Sequence, residues 1–170
     1  MNLLSKKEKP VFTIGEIIDL AIQIETNGEK TYRNGQRETD DPALSSLLGW
    51  LADQEKEHIE WFSNLNVRID KSPVTTDLDR AARDFLRGVL GGQTFSLGEI
   101  GVSKQEGVIS MLETSLEFEK DTILFYEMVG EFVEDTATKR HLKTIISEEE
   151  DHVKLLGEYL DRIRRMVRVD

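Results

Sequence analysis

An internal repeat places the same ionisable residues in the middle of apolar stripes in both halves of the chain. A shift of 94 residues superposes Glu25 on Glu119, Tyr32 on Tyr126, Glu55 on Glu149, and His58 on His152. The last two pairs form one Glu-x-x-His motif in each half. Because His and Tyr are scarce, with 3 of each in 170 residues, an internal duplication explains this match better than chance. We therefore expect two similar helical hairpins packed face to face.

Apolar residues recur at three- and four-residue spacing through most of the chain, which is the period of an amphipathic α-helix. No β-branched or aromatic run alternates with period two, so the sequence predicts an all-α fold. The four predicted helices cover about residues 13–38, 42–66, 104–133 and 136–167. Residues that favour helix N-termini mark the four starts, and they are Thr13, Asp41 followed by Pro42, Ser103, and Asp135 or Thr136.

The segment 67–102 between the second and third helices is too long for a tight turn. It contains Ser72-Pro73, Gly91-Gly92 and a short amphipathic stretch, so we expect a crossover that carries a short helix and serves mainly as a connection. A lid or an oligomer contact is the alternative. A long crossover makes the second and third helices run parallel, as in the ferritin-like form of the four-helix bundle. We expect residues 1–170 to form one such domain.

Composition and charge exclude several classes of function. The chain has 22 Lys and Arg against 33 Asp and Glu, a net charge of -11 that repels nucleic-acid phosphate and anionic lipid. It has no Cys, which excludes disulfides, thiolate metal sites, iron-sulfur clusters and cysteine catalysis. Residues 1–7 have no continuous apolar core behind their charges, and no apolar run of about 18 residues follows. We therefore expect a cytoplasmic protein that binds neither nucleic acid nor membrane.

Four carboxylates and two imidazoles interrupt the inward stripes about midway along the helices, namely Glu25, Glu55, His58, Glu119, Glu149 and His152. Ionised carboxylates buried together lose hydration and repel one another, at a cost of several kcal/mol per group. Two divalent cations would cancel four negative charges, and Glu-x-x-His places an oxygen and a nitrogen ligand on adjacent turns of one helix face. The constellation predicts a dinuclear metal site. A metal-free scaffold with protonated Glu side chains is the alternative.

Other polar and aromatic residues have simpler interpretations. We expect His141, which has no partner in the repeat, to lie on the surface. Tyr32 and Tyr126 either donate hydrogen bonds to the candidate ligands or belong to the ordinary core. We expect the other acids beside the second motif to lie on a solvated face of the fourth helix, namely Glu148, Glu150 and Asp151. We expect the aromatic residues of the second helix to lie in the core or to contact a partner, namely Trp50, Trp61 and Phe62.

The segment Ser-Leu-Glu-Phe-Glu-Lys-Asp-Thr-Ile-Leu-Phe-Tyr at 115–126 and the paired Glu-x-x-His motifs resemble the rubrerythrin branch of the ferritin-like superfamily, over about residues 13–165. The resemblance implies that the six residues above bind two iron ions, with Glu55 and Glu149 as the bridging pair. Mn or Zn are alternative occupants, since all three metals accept such N and O ligands. The implied activity is reduction of hydrogen peroxide or dioxygen. Iron binding or iron oxidation without peroxidase activity is the alternative.

Departures from the family pattern refine this expectation. Full-length rubrerythrin adds a Cys-ligated rubredoxin domain, which a chain without Cys cannot form, so electrons must come from an external donor protein. The extra Glu ligand of rubrerythrin is replaced by Thr122, which leaves six ligands and removes the residue associated with redox-linked ligand exchange. Lys56 stands where bacterioferritin has its haem-binding Met, so no haem is expected. We expect a homodimer.

Overall fold

Four helices make up the computed structural model, which describes residues 14–68 and 105–167. The helices are α1 (Ile14–Glu38), α2 (Pro42–Arg68), α3 (Gln105–Phe132) and α4 (Thr136–Val167). Within these described ranges there is no strand, so the prediction of an all-α bundle is confirmed. The predicted crossover and the capping residues Thr13 and Ser103 lie outside the described residues, except that residues 67 and 68 continue α2.

Carboxylates cap the two helices that follow short connections. The backbone amides of Ala43 and Leu44 donate to Asp41 Oδ1 at 2.8 and 3.3 Å, which fixes the start of α2. Asp135 Oδ2 accepts from the amide of Thr138 at 2.6 Å and fixes the start of α4 in the same way. Tyr159, near the end of α4, donates its hydroxyl hydrogen bond to Asp41, and this contact lowers the pKa of Asp41. The cap of α2 is therefore also a contact between α2 and α4.

Crossed contacts between α1 and α3 determine the chain directions. Tyr32, in the second half of α1, donates to Glu119, whereas Tyr126 of α3 donates to Glu25, one to two turns earlier in α1. Residue numbers therefore increase in opposite directions along these two helices. Only residues 39–41 join α1 to α2, which makes that pair antiparallel as well. It follows that α2 and α3 run parallel, as predicted from the long connection between them.

The apolar core is divided into two clusters by a layer of ionisable residues. One cluster is built around side chains such as Leu48, Leu51 and Leu156, and the other around side chains such as Ile24 and Phe125. Fully burying one such side chain stabilises the fold by about 1.5–3 kcal/mol, so both clusters anchor the helices that carry the layer between them. In the part of the chain that the structure describes, no helix has an apolar stretch long enough to cross a membrane.

Candidate metal centre

The structure brings all six predicted ligand residues into the layer between the two apolar clusters. Their exposed fractions lie between 0 and 3%, for Glu25, Glu55, His58, Glu119, Glu149 and His152. One residue comes from each of α1 and α3, and a Glu-x-x-His pair comes from each of α2 and α4. The helical spacing of three residues puts both members of a pair on one face, so each pair points inward. Ionisable groups this deeply buried need compensation by partners or by cations.

Two overlapping groups of four residues could each hold one metal ion. The first group contains Glu25, Glu55, His58 and Glu149, and the second contains Glu55, Glu119, Glu149 and His152. In each group, one ligand atom per residue lies within 4.8 Å of the ligand atoms of the others. Glu55 and Glu149 belong to both groups, which is the arrangement expected of two bridging carboxylates. The donor set of carboxylate oxygens and imidazole nitrogens suits iron, manganese or zinc.

Both candidate histidines present the same ring nitrogen to the carboxylates. His58 Nδ1 lies 3.0 Å from Glu149 Oε1, and His152 Nδ1 lies 2.8 Å from Glu149 Oε2. These approaches are poorly directed for hydrogen bonding, so both Nδ1 atoms and both Glu149 oxygens lack a hydrogen-bond partner among the described residues. Buried polar atoms without partners are rare in native proteins. Their convergence at one point fits a bound cation.

The tyrosines act on the two carboxylates that the groups do not share. The hydroxyl of Tyr32 donates to Glu119 Oε1 and that of Tyr126 donates to Glu25 Oε1. Both tyrosines are 0% exposed. Burial, together with the neighbouring carboxylates, raises the pKa of each phenol well above 10.0, so both remain protonated donors at neutral pH. Of the two interpretations of these residues, hydrogen bonding to the candidate ligands is the one observed.

The pKa shifts within the cluster favour retained protons when no cation is bound. Burial and repulsion from Glu149 raise the pKa of Glu55, while burial and repulsion from Glu55 raise that of Glu119. Burial opposes ionisation of Glu149 as well, but contacts with His152 and His58 outweigh it and lower the Glu149 pKa. Burial would lower the pKa of both imidazoles, yet their contacts with Glu149 raise it. Protons thus supply the positive charge that the carboxylates require.

One acid of the solvated face of α4 also makes a contact that the sequence did not predict. The Glu148 side chain is 42% exposed, and its Oε2 lies 3.0 Å from Nε2 of His58 on α2. A residue adjacent to the inward-facing Glu149 is rotated by about 100° around the helix axis, so it points sideways toward a neighbouring helix. The repeat contained a further signal at this position. Gln54 takes the place of Glu148 when the two halves are superposed, so the halves differ in charge directly before the Glu of each Glu-x-x-His motif.

The remaining singled-out residues border the site without belonging to it. His141 is exposed, as expected, and stacks on Trp61 with ring centroids 4.5 Å apart. Trp50 is 42% exposed and meets the ring of His152 edge-on at 5.4 Å. Thr122 is buried, and its hydroxyl donates to the Phe118 carbonyl at 2.9 Å. This hydrogen bond holds the Thr122 hydroxyl against the backbone of its own helix.

Comparison with known proteins agrees with this geometry. The sequence profile of the rubrerythrin family, described as Rubrerythrin, matches residues 16–160. A hypothetical protein from Pyrococcus furiosus is similar in structure, with a TM-score of 0.70 and 17% identity over 91% of this chain and 92% of that chain. A crystal structure from Thermotoga maritima, assigned to the ferritin-like diiron-carboxylate proteins, has a TM-score of 0.65 and 20% identity over 88% of this chain and 95% of that chain.

At these identities the two structures support the fold alone, and no curated protein matches the sequence. The family profile, in contrast, covers most of the chain. The match runs from residue 16 in α1 to residue 160 in α4. It therefore includes parts of all four helices and every one of the six candidate ligands. The chain therefore belongs to the rubrerythrin family, with the fold of a ferritin-like four-helix bundle.

Proposed function

We propose that this protein is a di-iron carboxylate oxidoreductase that reduces hydrogen peroxide, or dioxygen, with electrons from an external donor protein. The observation that carries the proposal is the pair of overlapping four-residue groups that share Glu55 and Glu149. Membership of the rubrerythrin family supports iron as the metal, because N and O ligands alone also accept manganese and zinc. The absence of Cys from the sequence supports an external electron donor.

When bound, a pair of iron(II) ions supplies the two electrons needed to convert hydrogen peroxide and two protons into two molecules of water. Six buried side chains from four helices would hold the pair, with Glu55 and Glu149 shared between the ions. The surrounding leucine-rich cluster excludes bulk water and strengthens electrostatic interactions inside the site. The protein thereby provides fixed geometry and a low-dielectric environment for the reaction.

The tyrosine hydroxyls would hold the two outer carboxylates in place. Each donates one hydrogen bond, Tyr32 to Glu119 and Tyr126 to Glu25. The second oxygen of Glu25 has no hydrogen-bond partner among the described residues and faces His58 Nδ1 at 3.5 Å, so it is available to a metal. Because burial keeps both phenols protonated, the donors persist when the charge in the site changes during turnover. We assign Tyr32 and Tyr126 the role of positioning the ligands and of donating hydrogen bonds near the reacting oxygen atoms.

Metal analysis combined with a peroxide titration tests this proposal. Protein purified without chelator and reconstituted anaerobically with iron(II) should contain two irons per chain, and should consume one hydrogen peroxide for every two iron(II) ions oxidised. The double variant Glu55→Gln with Glu149→Gln should lose the metal. Glu150→Gln, which changes an exposed acid on the same helix, should keep it. Protein that binds no metal would refute the proposal.

The same preparation distinguishes iron handling from peroxide reduction. If dioxygen oxidises the iron faster than peroxide does and iron accumulates beyond two per chain, the protein handles iron instead. Light scattering adds an independent measurement. The proposed homodimer suits an enzyme, whereas a hollow 24-subunit shell would favour storage.

A further inference from the structure

The two Glu-x-x-His motifs share the same ligand types and spacing but have different surroundings. His58 Nε2 lies 3.0 Å from Glu148 Oε2, a carboxylate on the neighbouring helix. His152 Nε2 is buried and has no hydrogen-bond partner among the described residues. At the position that corresponds to Glu148 in the repeat, the chain carries the neutral Gln54. The two halves therefore support their imidazoles unequally.

A carboxylate behind a ligand imidazole has two effects on the metal side of the ring. It keeps the proton on Nε2, so Nδ1 of His58 presents its lone pair to the carboxylate cluster. It also increases the basicity of Nδ1, and loss of such a partner typically lowers metal affinity by about 10- to 100-fold. The ring beside His152 is instead the indole of Trp50, edge-on at 5.4 Å, and an aromatic ring is at best a weak hydrogen-bond acceptor.

We propose that Glu148 is a positioning residue that makes the two metal positions unequal. Position A is formed by Glu25, Glu55, His58 and Glu149, and position B by Glu55, Glu119, Glu149 and His152. Position A binds its divalent cation more tightly and fills first, because only its imidazole is supported by a carboxylate. This inference rests on the proposed metal site and adds the order in which that site fills.

Cobalt(II) titration of histidine-labelled protein tests the order directly. The full chain contains 3 His, so [13C]histidine gives three ring spin systems in NMR spectra, and His141→Gln removes the exposed one for assignment. With one equivalent of Co2+, the ring signals of His58 should acquire the large contact shifts of a directly coordinated imidazole. His152, whose ring centroid lies 6.1 Å from that of His58, should then show only through-space shifts and should acquire contact shifts with the second equivalent.

Three variants distinguish the effect of the Glu148–His58 contact from the effect of losing one negative charge. Glu148→Gln should weaken position A by about 10- to 100-fold and abolish the preference. Gln54→Glu, the reciprocal change, should strengthen position B so that both histidines shift together. Glu150→Gln, which removes one exposed negative charge from the same helix, should leave the order unchanged. Circular dichroism establishes that each variant keeps its helical content.

The outcomes distinguish this inference from the proposed function. Two Co2+ ions that enter together or fill position B first in the unmodified protein would overturn the inference but leave a dinuclear site intact. A filling order unaffected by Glu148→Gln would also overturn it, because the preference would then have another origin. Protein that binds no Co2+ would overturn both the inference and the metal site. Loss of order in Glu148→Gln alone, with order kept in Glu150→Gln, supports the role of Glu148.

Discussion

Metal-free protein should become less stable as the pH rises from 6 to 8. Burial and mutual repulsion raise the pKa of Glu55 and Glu119 above the ordinary value of 4.5, and contact with Glu149 raises the pKa of His58 and His152 above 6.5. The folded chain therefore keeps protons that the unfolded chain has lost. Unfolding releases those protons, so a higher pH favours the unfolded state.

The size of this effect follows from the number of retained protons. Each retained proton lowers the free energy of unfolding by about 1.4 kcal/mol per pH unit. A single proton held between pH 6 and 8 therefore costs about 3 kcal/mol, which lowers the Tm by about 6–12 °C for a chain of this size. Glu149 contributes no slope in this range, because its pKa is lowered and its stabilisation disappears only below the unfolded value of 4.5.

Added metal should remove this pH dependence or reverse it. A cation that binds only the folded state at 1,000 times its Kd stabilises it by about 4 kcal/mol. Because the ligands must be deprotonated to bind, this stabilisation grows as the pH rises. Calorimetric unfolding of chelator-treated protein, with and without excess Mn2+, measures both slopes.

A matched pair of variants identifies the source of the slope. Glu55→Gln with Glu119→Gln replaces two retained protons by neutral amides, so the metal-free slope should decrease. Glu150→Gln, on an exposed face, should leave it unchanged. A metal-free protein whose stability is flat or increases between pH 6 and 8 would refute the account of the buried cluster.

Three further changes probe single contacts. Tyr32→Phe with Tyr126→Phe removes both hydroxyl donors and should slow peroxide turnover with metal content near wild type; complete metal loss would contradict their positioning role. Gly28→Ala places a Cβ 3.3 Å from Glu55 Cγ and Cδ, so metal affinity should decrease while the metal-free helix gains up to about 1 kcal/mol, as titration and thermal unfolding can show. Unchanged affinity would mean that Glu55 has room to move. Asp41→Ala should cost about 1–2 kcal/mol in denaturant unfolding, whereas Asp41→Asn keeps the cap and should cost less.

The sequence determined the helices and the identity of the clustered residues because both depend on local geometry. A stripe with a period of 3.6 residues fixes which side chains of one helix face inward, and Asp41 and Asp135 fix where two helices begin. A Glu or His in the middle of such a stripe has no direction except toward the bundle axis. The repeat then placed the two motifs at the same depth, so the six residues could be identified without any coordinates.

Only the tertiary structure decided which side chains contact one another across helices. The crossed pairs, Tyr32 with Glu119 and Tyr126 with Glu25, depend on the direction and separation of α1 and α3, which no single stripe encodes. Glu148 shows the same dependence more clearly, because it lies at the border between the inward and outward faces of α4. Whether such a border residue meets solvent or an imidazole depends on where the neighbouring helix lies, and here α2 brings His58 within 3.0 Å of it.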